Sequence, residues 1–371
     1  MSAKLQVVLA TTLSLVNQFQ STLTSSQISP QSATTDQNKD LDPLPLLSAS
    51  STALKSHVTK LSLVTINSPF TPSAVSTTLS TLNESVLPSL VTATLLVKPE
   101  SHTKAFQTEI RVLTGAALKE LSSLVKEVQV VAQEKADKKS LEQSEKDTVT
   151  IAAGRVWDSC DILIDVAAKG VIGFVVRRAE QYRDLVRDAV AEIEAWNPDE
   201  EEDEFYDDLL SDDGEGLGTT NKAGASGESD DEDDEEGSAA LHARKKNTLR
   251  ILKPIAQIYP AIISNRLKKA PTAFAPANIR TVESLMKSLQ QIPDHIDEVA
   301  GALYEADFDK CTSQLGMAKD CAAKALELVV VSWGSGQSNA GDMLTTWSKT
   351  WTKVMEEVCK SIDEPSNAKS D

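Results

Sequence analysis

Between Phe106 and Val131 the apolar residues Phe106, Ile110, Leu113, Ala117, Leu121, Leu124, Val128 and Val131 are separated by steps of three or four. Seven such steps cover 25 positions. That averages about 3.6 residues, the α-helical repeat, so a helix of roughly seven turns carries one apolar face that has to be covered by other helices. The same rhythm runs through Leu5, Leu9, Thr12, Val16, Phe19 and Leu23, and through Val149, Ala153, Val156, Trp157 and Cys160. Further stripes are Tyr182, Leu185, Ala189, Ile193 and Trp196, then Ile279, Val282, Leu285, Met286 and Leu289. A last one is Met343, Trp347, Trp351, Val354, Val358 and Ile362. Alternating strand patterns are nearly absent, and 15 Gly with 14 Pro among 371 residues is too few for a turn-rich β fold. The expected fold class is all-α, about ten or eleven helices packed as antiparallel bundles.

Breakers divide these helices. A Ser/Thr/Gln/Asp-rich stretch at 25–45 reads as a long mobile loop, and Asn67-Ser68-Pro69-Phe70-Thr71-Pro72 ends the helix before it. Pro88 predicts a kink within 73–97, a break is expected near Gly170, Pro254 and Pro260 should distort the segment around Leu252, Ile255, Tyr259 and Ile262, and Pro293 predicts another break.

The charge is concentrated in one place. Of 55 acidic and 37 basic residues, giving −18, nineteen acids and the single base Lys222 lie between Asp199 and Glu236. The rest of the chain is neutral. A nucleic-acid-binding body would carry a basic excess, so that class is disfavoured. The expected organisation is a bundle over 1–196, a disordered acidic strap over 197–240, and a second bundle over 241–371 packed with the first. No stretch approaches the roughly 20 apolar residues of a membrane span. The N-terminal Leu5–Leu13 run reads as a bundle helix rather than a signal peptide, because Gln6 and Gln18 dilute its stripe and no small-residue cleavage site follows. Cys160, Cys311, Cys321 and Cys359 have no paired spacing and read as thiols in a reducing compartment.

Catalytic and ligand motifs are not found. His57, His102, His242 and His295 have no metal-ligand spacing with one another or with any cysteine, so neither metal nor cofactor is expected. Gly214-Glu215-Gly216-Leu217-Gly218 lies in an acidic stretch that would repel phosphate and follows no strand. There is no nucleophile elbow, Walker loop or metalloprotease helix, and the chain is not expected to be an enzyme. The strap carries the candidate binding residues. Phe205 with Leu209, and Tyr206 with Leu210, are i, i+4 pairs that would share a face if the segment folded on a partner. Ser229 precedes Asp230-Asp231-Glu232-Asp233-Asp234, a pattern suited to an acidophilic kinase, and phosphorylation there is expected. Arg244-Lys245-Lys246 with Arg250 reads as helix-surface charge or a partner for the strap rather than as a nuclear import signal.

The segment Gly154-Arg155-Val156-Trp157-Asp158-Ser159-Cys160-Asp161 follows a Leu/Val-rich helix. It precedes an amphipathic helix ending Glu192-Ile193-Glu194-Ala195-Trp196, after which comes the acidic break. In this arrangement the chain resembles the cyclin-D-binding (Grap2 and cyclin-D-interacting, GCIP/Maid) family over about Leu46 to Val331. The Ser/Thr-rich 25–45 insert and the heavy strap mark a divergent member. The resemblance implies packed helical bundles in the style of vinculin and α-catenin. It also implies a non-enzymatic regulator that binds D-type cyclins and helix-loop-helix transcription factors in nucleus and cytoplasm, restraining the cell cycle. No helix opens with a dense basic segment fit for a major groove, in keeping with a helix-loop-helix-like protein that does not bind DNA directly. Val156, Trp157, Cys160 and Asp161, the sharpest part of the resemblance, read as core packing, with Asp158 and Asp161 able to pair with a neighbouring helix. The alternative reading is an acidic chaperone-like protein whose strap shields a basic client such as a histone.

Overall fold

The computed structural model describes residues 2–25, 42–134, 141–199, 231–270, 276–330, 333 and 342–363. Among these the secondary structure is helical, without a strand. In chain order the helices are α1 (Ala3–Thr24), α2 (Pro43–Ile66), α3 (Pro72–Thr81), a π turn (Leu82–Val86), α4 (Leu87–Leu96), α5 (Pro99–His102), α6 (Lys104–Glu134) and α7 (Gln143–Ala195). They continue as α8 (Asp231–Ala256), α9 (Ile258–Asn265), a 3-10 turn (Leu267–Lys269), α10 (Pro276–Tyr304), α11 (Phe308–Val330) and α12 (Met343–Asp363). No helix among the described residues is long and apolar enough to cross a membrane. The chain groups into two compact units: Met1–Val175 with Thr272–Glu283, and Val176–Pro271 with Ser284–Asp371.

In the first unit α1 packs on α3 and α6, and α2 on α3 and α4. Connectors as short as 67–71 force neighbouring helices to run antiparallel. The α6 stripe is buried along its length except at half-buried Leu113. Asp42 caps α2 by accepting from the Leu44 N–H at 3.0 Å, with Pro43 at the first helical position where no N–H is needed. The kink expected at Pro88 is taken up one turn earlier, by the π turn. There Asn83 donates to the Thr12 hydroxyl of α1 at 2.9 Å. Gly170, at φ 61 and ψ −161, interrupts α7 where a break is expected.

In the second unit α8, α9, α11 and α12 pack on one another. Pro293 does not end its helix; α10 runs through it. A proline at 293 cannot donate to the Leu289 carbonyl, and that carbonyl instead accepts from the buried Tyr259 hydroxyl at 2.8 Å. Beside Pro254, the Trp351 indole donates to the Pro254 carbonyl at 2.9 Å. Buried Arg266 donates to the Val329 and Val330 carbonyls at the end of α11 and pairs with Asp342, the residue just before α12. Burial pushes the Asp342 carboxyl up, but the Arg266 hydrogen bond, the Leu344 N–H and the charges of Arg266 and Lys269 outweigh it and hold it below its ordinary value.

Three sequence expectations shift. Leu185 is 57% exposed, because Ala179, Val186, Val190 and Ile193 form the buried face of that stretch of α7. The α12 stripe lies one position over, on Leu344, Ser348, Trp351 and Met355, leaving Met343 69% exposed. Helix resumes at Asp231, ten residues before the expected Leu241; acidic residues suit the positive end of a helix dipole.

Candidate interaction surfaces

Cys160 and Val156 lie fully buried on the inner face of α7, in register with Val149, Ala153 and Leu163. Burial, then the neighbouring Asp161 charge, raises the Cys160 thiol to about 12 against a smaller opposite effect of Lys55. It is a packing group rather than a nucleophile. Trp157 is half-buried, and its indole N–H is shielded from solvent without a hydrogen-bond partner. Asp161 is exposed and meets Lys55 of α2 at 2.6 Å. Arg155 reaches Glu120 of α6 at 3.2 Å, so the motif's charged residues tie α7 to both neighbours while its apolar ones face inward.

The outer face of α7 is less ordinary. Ile151 and Ile162 are 61% and 45% exposed. Eleven residues apart, they lie nearly in line on a helix of 3.6 residues per turn, with Arg155 and Asp158 between them. Two large aliphatic anchors bracketing two oppositely charged residues form a small amphipathic ridge of the kind partner helices cover.

In the second unit α8, α11 and α12 surround a cavity of about 260 Å³. Its apolar lining includes Ile251, Leu315 and Ile362, and Arg244 and Lys319 line it as well. A Cβ added at Gly316 would meet nothing within 4 Å, so the space above this glycine is open. Among the described residues no carboxylate lines the cavity. Arg244 donates to the Phe308 carbonyl at 2.7 Å and to the Thr312 hydroxyl, and its guanidinium lies 5.8 Å from the Phe308 ring centroid. Its Nε is buried without a partner. Lys319 points at the Cys359 thiol, 4.0 Å away. Among the described residues both cations therefore bond neutral groups, whereas Lys253 and Lys310 of the same unit hold Glu194 and Glu298 at 2.8 and 3.0 Å.

Two residues of the basic cluster are spent on the fold. Lys245 donates to the Glu194 and Trp196 carbonyls at the end of α7, and Arg250 to the Ser361 hydroxyl at 2.8 Å. Phe205, Tyr206, Leu209, Leu210 and Ser229 lie outside the described residues. Among the described residues no group of His, Cys, Asp and Glu could hold a metal ion. The cavity was not legible in the sequence: its walls come from three helices spread over more than a hundred residues, and no local motif marks it.

Residues 46–199, from α2 to the end of α7, match the family model described as Grap2 and cyclin-D-interacting, N-terminal. No curated protein matches the chain.

Proposed function

We propose that this chain, which through residues 46–199 belongs to the Grap2 and cyclin-D-interacting family, is a non-enzymatic regulator that binds a D-type cyclin or a helix-loop-helix transcription factor and so restrains cell-cycle progression. The observation that carries the reading is the extent of the family match. It runs from Leu46 in α2 through the end of α7 and stops at Asp199, before Phe205, Tyr206, Leu209 and Leu210. The matched part of the chain thus holds the bundle helices and not those four strap residues, which favours a bundle surface for the contact. The ridge of Ile151, Arg155, Asp158 and Ile162 lies inside the match and beside the Val156-Trp157-Cys160 motif. The protein would work in cytoplasm and nucleus, with Ser229 as a phosphorylation site.

The test is a titration of the full chain against a purified D-type cyclin and, separately, a helix-loop-helix domain. Replacing Ile151 and Ile162 by Glu should weaken the productive pair at least tenfold, since buried interface anchors are each worth more than about 1 kcal/mol. Binding of neither protein, or affinity unchanged by the double substitution, would overturn the reading. The charge of residues 199–236 favours a second reading, an acidic chaperone-like protein for a basic client such as a histone. Steep salt dependence of histone binding, lost with the strap, would mark that case.

A further inference from the structure

We infer that the cavity between α8, α11 and α12 is the docking site of the chain's own acidic segment 203–213. The first ground is charge. Arg244 and Lys319 line the cavity together with Ile251, Leu315 and Ile362, and among the described residues no carboxylate lines it and each cation is bonded only to neutral groups. A buried guanidinium nitrogen without a partner adds an unfilled donor at the same place. Two cations without a carboxylate partner among the described residues, set beside Ile251, Leu315 and Ile362, suit a ligand that alternates carboxylates with large apolar side chains. Residues 203–213 have that composition: six acids interleaved with Phe205, Tyr206, Leu209 and Leu210.

The second ground is where the chain leaves and returns. The Asp199 carboxylate is held on α8 by the Ser238 hydroxyl and by His242, the latter at 2.9 Å. Arg244 and Ile251 lie two and nine residues further along that helix, so about 3 and 14 Å at 1.5 Å per residue. Residue 203 is four residues beyond Asp199, a reach of up to about 13 Å. From 213 the chain still has ample length to return to Asp231 at the start of the same helix. A tether this short presents the segment to the groove at an effective concentration on the order of millimolar. Docked there, 203–213 neutralises both cations and covers the apolar floor, so an acidic segment from any other protein has to displace it first. The groove lies outside residues 46–199, so this inference stands or falls independently of the cyclin reading.

Carbodiimide coupling of the full chain at low ionic strength, followed by peptide mass spectrometry, tests it directly, because the reagent joins a lysine amine only to a carboxylate in contact with it. The expected product links Lys319 to a carboxylate within 203–213, with yield falling several-fold in half-molar salt. The Lys310–Glu298 pair, at 3.0 Å, supplies an internal control link. Gly316→Leu fills the open space above that glycine and should cut the Lys319 link at least tenfold with the control unchanged. Recovery of the control without the Lys319 link overturns the inference, as does a Lys319 link indifferent to Gly316→Leu. So does a link found only between differently isotope-labelled copies. If Gly316→Leu also loses the control, a chain with Phe205, Tyr206, Leu209 and Leu210 replaced by Ser decides from the segment's side. A fivefold or greater fall supports docking, and an unchanged yield overturns it.

Discussion

The Tyr259 hydroxyl supplies a hydrogen bond that the backbone of α10 cannot make. Pro293 leaves the Leu289 carbonyl without its helical donor, and Tyr259 fills the vacancy at 2.8 Å from a fully buried position. Tyr259→Phe should therefore destabilise the protein by about 1–3 kcal/mol in chemical denaturation, the cost of a buried acceptor left unmade. In a Pro293→Ala background the new N–H can serve Leu289, and the same substitution should cost appreciably less; equal costs in both backgrounds would refute the coupling. His102 makes a pH prediction. Burial pushes its imidazole below the ordinary 6.5, and the opposing pull of Asp42, 3.8 Å away, does not make up the difference. The folded state thus disfavours the protonated ring. Its contribution is fully present above pH 6.5 and is lost as pH falls through the lower folded value. Between pH 7.5 and 5.5 the unfolding midpoint of the parent should fall relative to that of His102→Gln, and parallel curves would exclude the effect.

A helix is readable from sequence when one stripe is apolar and the others are not, as in α6, where Lys119 and Lys126 mark the outside. In α12 two neighbouring stripes are both apolar: Met343 and Val354 compete with Leu344 and Met355, and only packing against α8, α9 and α11 selects the second pair. The continuity of α10 was hidden for a different reason, because the group that relieves Pro293 lies 34 residues earlier, at Tyr259. The start of α6 was hidden too. Thr103 takes φ 69 between α5 and α6 and caps α6 by accepting from the Phe106 N–H at 3.2 Å, a conformation that no residue pattern announces. At Gly170, by contrast, the residue type did signal the break. Its backbone, at φ 61 and ψ −161, lies where only glycine is comfortable, and an added Cβ would sit 3.7 Å from Leu44. Gly170→Ala should cost about 1–3 kcal/mol through backbone strain rather than collision. Gly154, mid-helix with open space around its Cβ position, is the control: its Ala variant should be neutral or stabilising by up to about 1 kcal/mol.

Over the whole molecule, packing and charge are carried by different parts of the chain. Among the described residues the core side chains run from Leu5 to Met355 and sit in or beside the helices, while the net charge of −18 equals the charge of residues 199–236. Replacing 200–230 by a Gly/Ser linker of equal length removes twelve carboxylates and Lys222, and leaves a formal net charge of −7. The neutral remainder needs no counter-charge to stay folded, so helical circular dichroism from the described helices should persist. What the exchange can remove is the docked segment's contribution to the second unit. A tenfold bias toward docking is worth about 1.4 kcal/mol, which for a unit of this size corresponds to a fall of roughly 3–6 °C in its unfolding midpoint. Half-molar salt should produce a similar fall in the parent and almost none in the exchanged chain, because it screens the same attraction. A loss of 10 °C or more would instead place strap residues in the core of the second unit. An unchanged midpoint, with no difference in salt response between the two chains, would leave Arg244 and Lys319 uncompensated in the intact protein and open to an acidic partner.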